Sequence, residues 1–289
     1  PLTSALIDDV DLPNMCFFQP KRLWFGGDTY FEAHYVEGED PFHDWNMIQS
    51  TSFSAIPVEL PALQLSPRMS PKVYHKQVAS LLTHIHRGDI YEVNFCMEWY
   101  ARQKLLNPYA IFLELNAVSK TPFAGLMHLD NHYLMCASPE RFLKKSGDTL
   151  WSQPIKGTAK RGSNELQDKA LVHKLVNDPK EQAENIMIVD LVRNDLSRVA
   201  QKGSVSVLEK CKVYTFKQVH QMISTVHAKL DPAFDAIDAI KACFPMGSMT
   251  GAPKVRAMEL IEQHEQTKRG LYSGALGYFT PEGDFDFNV

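Results

Sequence analysis

The chain has 289 residues, 34 Asp plus Glu against 30 Lys plus Arg, a formal net charge of -4, and 44% hydrophobic and 22% charged residues. Such a balance suits a globular protein with a sizeable core, built as one large domain or two small ones. No basic block marks a nucleic-acid footprint, and no apolar run approaches the roughly 18 to 20 residues of a membrane span.

The chain starts Pro1-Leu2-Thr3-Ser4, without an initiator Met or the charged and apolar regions of a signal peptide. The five cysteines, Cys16, Cys96, Cys136, Cys211 and Cys243, are dispersed and never in C-x-x-C spacing, so neither a disulfide framework nor a zinc site is expected and a reducing, cytoplasmic setting is. They read as buried, inert thiols. The Pro-rich stretch 57–71 reads as a joint between an N-terminal lobe portion, residues 1–69, and a main body, residues 70–289. Ser70-Pro71 opens a helix that Gly88 closes. Residues 90–99 alternate with period two and read as a strand. A short helix over 107–118 follows. Asp130-Asn131 and Ser146-Gly147-Asp148 each divide a hairpin, 125–129 with 133–137 and 141–145 with 149–153. Helices are predicted over 165–176 and 179–194, and strands over 205–209 and 212–219. Asp231-Pro232 and Pro253 each open a helix. A strand over 271–279 and a last one over 285–289 complete the series. Strands joined by tight turns, with helices as separate inserts, predict an α+β fold with antiparallel sheets.

Four segments can carry chemistry. In Pro154-Ile155-Lys156-Gly157-Thr158, Gly157 admits close approach of a ligand and its N–H with the Thr158 hydroxyl can hold an anion. Lys156 is a nucleophile if desolvation leaves it neutral; an exposed turn lysine would read the same way. In Ser138-Pro139-Glu140, a carboxyl beside apolar neighbours can stay protonated as a general acid, or be an ordinary turn acid. In the helix after Asp178-Pro179, Glu181 and Glu184 share a face, a pattern suited to Mg²⁺. Glu181 also occupies the third helical position of a capping box. Asp190 lies in an apolar run and reads as part of an ion-pair network with Arg193 and Asp195. Gly247-Ser248-Met249-Thr250-Gly251 leads into a helix and presents backbone N–H groups to an anion; a capped helix start explains it equally.

Together with Gly88-Asp89-Ile90-Tyr91-Glu92-Val93-Asn94, these segments resemble the chorismate-utilising enzymes over about residues 70–289. The resemblance implies two large, packed antiparallel β-sheets flanked by helices, as in anthranilate synthase. Lys156, where anthranilate synthases have Ala, is similar to the aminodeoxychorismate synthase component I branch. That branch joins chorismate and ammonia to give 4-amino-4-deoxychorismate for para-aminobenzoate and folate synthesis. The resemblance implies that Lys156 attacks C2 while the hydroxyl leaves from C4, protonated by Glu140. It further implies substrate contacts from Gly157, Thr158, Ser248, Thr250, Gly251 and Tyr272, and Mg²⁺ held by Glu184 and Glu181. Ammonia would come from a separate glutamine amidotransferase. The alternatives are an anthranilate synthase component I, or a non-catalytic chain that binds an amidotransferase.

Two departures are visible. The family's histidine three places before Ser224 is Gln221 here, next to His220. The family also continues past residue 289 with an arginine, a glycine-rich loop and a second metal glutamate. The alternation of Phe285, Phe287 and Val289 runs to the last residue, so a fold truncated at both ends is expected, with incomplete metal and substrate sites.

Overall fold

A computed structural model describes residues 3–51, 63–102 and 107–289. Two compact units divide the chain: Asp11–Pro61, and Pro1–Val10 with Ala62–Val289. The expected joint lies partly outside the described residues, at Pro57 and Pro61.

The smaller unit pairs strands β1 (Arg22–Gly26) and β2 (Phe31–Tyr35) antiparallel and adds helix α1 (Pro41–Ser50), capped by Asp40. Asp44 of α1 accepts from the Tyr35 hydroxyl at 2.6 Å and from Arg22 at 3.1 Å. Trp24 stacks on Trp45 at 5.8 Å between ring centroids.

In the larger unit, β3 (Ser66–Pro67) precedes α2 (Pro71–Arg87), capped by Ser70 and closed by Gly88 at φ 80°. Next come β4 (Glu92–Val93), β5 (Trp99–Tyr100) and α3 (Pro108–Ser119). Five strands follow: β6 (Phe123–Leu129), β7 (His132–Ser138), β8 (Arg141–Ser146), β9 (Thr149–Gln153) and β10 (Ile155–Lys160). Helices α4 (Glu165–Val176) and α5 (Pro179–Ser197) lead to β11 (Ser206–Thr215) and β12 (Val219–Lys229). The last third holds α6 (Ala236–Cys243), a 3₁₀ turn Gly247–Met249, β13 (Gly251–Ala252) and α7 (Lys254–His264). A 3₁₀ turn Gly270–Ser273, β14 (Gly277–Phe279) and β15 (Phe285–Asn288) complete it.

The fold is α+β. Its main sheet has seven strands in the order β10-β12-β9-β8-β15-β14, with β11 also on β12, and every pairing is antiparallel. The remaining strands among the described residues form two-stranded pairs, β1-β2, β13-β4, β3-β5 and β6-β7. Among the described residues, the seven-stranded sheet is the large antiparallel sheet of this α+β fold. Helix α5 lies on this sheet. Ile188, Val189, Val192 and Leu196 pack with Leu143, Leu150 and Val226 of the strands and with Ala239 and Cys243 of α6. Each fully buried Leu or Ile contributes about 1.5–3 kcal/mol, and α5 is fixed to the sheet by several of them.

The structure corrects several expectations. Residues 90–99 are not one strand. Their amides reach different partners: Tyr91 donates to Ala252, Asn94 to Thr250 and Cys96 to the Glu265 carboxylate. The strands expected at 205–209 and 212–219 are a single bulged strand, β11, with Cys211 at φ 51°, and β12 follows where no strand was expected. The helix expected at Asp231-Pro232 starts at Ala236, behind an Asp235–Asp238 capping box. Residues 271–279 split into a 3₁₀ turn and the short β14. Cys16 is exposed, whereas burial pushes the Cys243 thiol up to about 12. No helix among the described residues is long and apolar enough to cross a membrane.

Candidate active site

Strand β10 carries Lys156 beside Gly157, which adopts φ 93°, a conformation that suits glycine. A Cβ at Gly157 would meet Glu181 Oε2 at 3.2 Å and Met222 Cβ at 3.2 Å. The first and third sequence segments therefore meet here. Buried Asn185, on α5, holds them together. Its side-chain amide donates to the carbonyls of Lys156 at 3.2 Å and Met222 at 3.1 Å, and its oxygen accepts from the Ser224 hydroxyl at 2.5 Å. Sequence reading gave Asn185 no role, because its partners, Lys156, Met222, Ser224 and Cys211, come from three other strands.

The Lys156 ammonium is not an exposed turn lysine. Its side chain is 20% exposed and forms an ion pair with Glu92 Oε1 at 2.5 Å. Glu92 reaches it from β4, which is held against β13 through Val93–Gly251 and Glu92–Ala252. A Cβ on Gly251 would lie 2.2 Å from the Glu92 carbonyl oxygen, so this approach requires glycine. A second clamp holds the same two segments. Arg269, paired with buried Glu265 at 2.5 Å, donates to the carbonyls of Asn94 at 2.6 Å and Met249.

Glu140 sits at the turn between β7 and β8. Its Oε1 accepts from the Ile155 amide at 3.4 Å. Burial pushes its carboxyl up to about 7, tempered by the nearby Ser248 hydroxyl, the Ile155 amide and the charge of Lys156. Ser248 lies close to this carboxyl but makes no well-formed hydrogen bond to it. Glu140 and Ser248 line one small cavity with Phe142, Pro154, Val192 and Met246. A carboxylic acid near neutrality in apolar surroundings can donate a proton at physiological pH.

Among the described residues, five buried side-chain polar atoms lack a hydrogen-bond partner: Glu92 Oε2, Ser248 Oγ, Gln221 Oε1, Thr121 Oγ1 and Asp195 Oδ1. Glu92 Oε2 belongs to the carboxyl paired with Lys156, Ser248 lies beside the Glu140 carboxyl, and Gln221 is opposite Thr158 in the β12–β10 pairing. Buried polar atoms are ordinarily satisfied, so the unpartnered oxygens of Glu92 and Ser248 suit a polar ligand.

The remaining candidates take different positions. Thr158 is exposed, and buried Thr250 donates to the Met246 carbonyl at 3.0 Å, bracing the loop before β13. Gly251 secures Glu92 through its backbone. Tyr272 is 67% exposed on its 3₁₀ turn. His220 faces away from Gln221. It is fully buried, with Nε2 at 2.9 Å from Asp168 and Nδ1 at 2.9 Å from Thr215.

At the start of α5, Asp178 accepts from the amides of Lys180 and Glu181. The Glu181 side chain does not complete a capping box; it lies beside Gly157. Lys180 bridges Glu181 at 3.4 Å and Glu184 at 2.8 Å. Among the described residues, no three His, Cys, Asp or Glu side chains gather as a metal cluster. Two carboxylates converging on one cation nevertheless fit Mg²⁺, which takes one or two carboxylates and keeps several waters. Of the expected Asp190–Arg193–Asp195 network, the Asp190–Arg193 pair forms at 2.8 Å, with Asp190 62% exposed, while buried Asp195 pairs instead with Lys254 at 2.5 Å. Lys254 also donates to the carbonyls of Cys243 and Pro245, which fixes the loop before α7.

Residues 16–289 match the family model described as chorismate binding enzyme. The chain is 40% identical over 221 residues to aminodeoxychorismate synthase component 1 of Klebsiella aerogenes, covering 76% of this chain and 49% of that protein. It is 38% identical over 216 residues to the protein of that name from Bacillus subtilis, covering 75% and 46%. Anthranilate synthase component 1 of Thermus thermophilus is 38% identical over 298 residues, covering 99% of this chain and 63% of that protein. Among solved structures, anthranilate synthase component I from Streptococcus pneumoniae superposes with a TM-score of 0.76 at 29% identity, covering 86% of this chain and 55% of that one. The chain spans about half the length of the first two of these relatives.

Proposed function

Because this chain belongs to the family of chorismate-binding enzymes, we propose that it is component I of an aminodeoxychorismate synthase, joining chorismate and ammonia. The observation that carries this reading is Lys156, a half-buried lysine whose charge reaches a carboxyl raised to about 7 on Glu140. The two supply a nucleophile and a general acid within one site.

In this reading, the Lys156 amine forms a bond to chorismate C2 and the C4–oxygen bond breaks. Glu140 gives its proton to the departing hydroxyl, which leaves as water. Ammonia then bonds to C4, the bond from C2 to Lys156 breaks, and the excess proton on the new amine returns to Glu140. Ser248 donates its hydroxyl to a substrate oxygen, the Gln221 amide oxygen accepts from a substrate hydroxyl, and Thr158 is an exposed residue of β10. Glu181 and Glu184 would hold Mg²⁺, which when bound supplies charge neutralisation for a substrate carboxylate.

The component 1 naming of the relatives supports a separate amidotransferase as the source of ammonia, and a cytoplasmic setting belongs to the same reading. Relatives named anthranilate synthase component 1 match with similar identity, so that activity is the second reading. The full-length gene product, incubated with chorismate, ammonia and Mg²⁺, decides by chromatography of its product. Aminodeoxychorismate, with a transient covalent adduct at Lys156 in intact mass spectra, is expected. Anthranilate as product, or undiminished turnover by Lys156→Ala, overturns the reading.

A further inference from the structure

The ion pair between Lys156 and Glu92 bears directly on how an amine at this place becomes reactive. A protonated lysine has no lone pair with which to attack carbon, so a nucleophilic Lys156 must first lose a proton. We infer that Glu92 is the residue that takes it. This rests on the reading of Lys156 as nucleophile given above.

Three observations support Glu92. Its Oε1 lies 2.5 Å from the Lys156 nitrogen, within the range of direct proton transfer. Among the described residues, Lys156 is its only side-chain partner, and its other oxygen is buried with no hydrogen-bond donor. No further group therefore competes for its lone pairs. Finally, the backbone of residues 92–94 is immobilised by β13 and by Arg269, which holds the carboxylate in place.

The surroundings are sparse in other charges. Glu140 approaches Lys156 from the β7–β8 turn, and Glu181 lies across Gly157 on α5. Strand β12 presents uncharged Gln221, and β13 presents only Gly251 and Ala252. Helix α7 packs apolar Ala257 and Leu260 against the β4 segment.

The proton balance closes. The Lys156 ammonium gives one proton to the Glu92 carboxylate, leaving a neutral amine and a carboxylic acid. The amine attacks, and the leaving hydroxyl takes its proton from Glu140, not from Glu92. When ammonia displaces Lys156, the released amine recovers its proton from Glu92. Both residues end the cycle as they began. Glu92 acts through Lys156 and is a positioning residue and base for it.

The test compares Glu92→Gln, Glu92→Ala and Lys156→Ala in the full-length gene product. Glu92→Gln keeps the shape of the side chain but accepts no proton. Its kcat is expected to fall about 100-fold or more, while KM for chorismate stays within about threefold. Below about pH 7, where Glu140 keeps its proton, its residual rate should climb with pH about tenfold per unit, as hydroxide replaces the missing base. Added formate should restore turnover to Glu92→Ala and not to Lys156→Ala. That rescue reports function even if Glu92→Gln fails to fold. Wild-type kcat and pH profile in Glu92→Gln, or no rescue by formate in folded Glu92→Ala, overturns the inference. If Lys156→Ala itself retains full turnover, the reading of the site falls first, and the two failures are told apart.

Discussion

Glu181 and Gly157 touch across the interface between α5 and β10: the Glu181 carboxylate lies 3.2 Å from where a Gly157 side chain would begin. Lys156 and the carboxylate pair on α5 are therefore held in one geometry. Gly157→Ala should displace Glu181 and strain a backbone at φ 93°. A stability loss of about 1–3 kcal/mol is expected, read from denaturant midpoints. Mg²⁺ affinity should fall in the same variant.

Glu140 sets a pH dependence. Its carboxyl is raised from 4.5 to about 7 in the folded chain. The fold binds this proton more tightly than the unfolded chain does, so the group's contribution to stability declines as pH rises from about 4.5 to about 7 and is flat above. As a general acid it must also be protonated, so turnover should fall on the alkaline side of about 7. Glu140→Gln should remove both effects and lower kcat about 10²–10⁴-fold. Thermal midpoints at several pH values, with a rate profile, check it.

Lys180 bridges Glu181 and Glu184, the two carboxylates proposed above to hold Mg²⁺. It is a solvent-exposed competitor, with its side chain 71% exposed. Lys180→Met should strengthen Mg²⁺ binding about two- to fivefold, the scale of an exposed ion pair. Glu184→Gln should weaken it. Calorimetric titration with Mg²⁺ alone reads both; weaker binding by Lys180→Met would count against the carboxylate pair as the metal site.

Asn185 is buried and bonds to two carbonyls and a hydroxyl. Asn185→Leu leaves those groups without partners in the interior. A loss of about 2–4 kcal/mol is expected from unfolding curves, larger than for an exposed substitution on the same helix.

Much of this architecture is legible in sequence where the signal is local. Ser70, Gly88, Asp130 and Gly147 mark element ends because capping and turn chemistry act over a few residues. Strand β12 escaped because it is buried on both faces over much of its length, so its sequence does not alternate. Residues 90–99 misled in the opposite way: their alternation comes from contacts with several different neighbours. The four chemical segments could be marked individually, and Lys156 with Glu140 emerged as candidates. Glu92 was visible as a polar residue on a presumed strand face and as part of the Gly88–Asn94 segment, but nothing in its neighbourhood names Lys156 as partner. Asp195 shows the same limit, its partner Lys254 lying 59 residues away.

The clamp at Asn94 has a kinetic consequence. Asn94 donates toward the Ser248 carbonyl across 154 residues of chain, and Arg269 reaches Asn94 across 175. Closing loops of that size costs entropy before any contact repays it. The two-residue pairing of β4 with β13 is too short to form ahead of the elements that carry it. Glu92 should therefore meet Lys156 only after the seven-stranded sheet and α5 have assembled. During refolding, amide protection in β8, β9 and β12 should precede protection at Tyr91 and Asn94, and the ability to bind substrate should arrive with the later group.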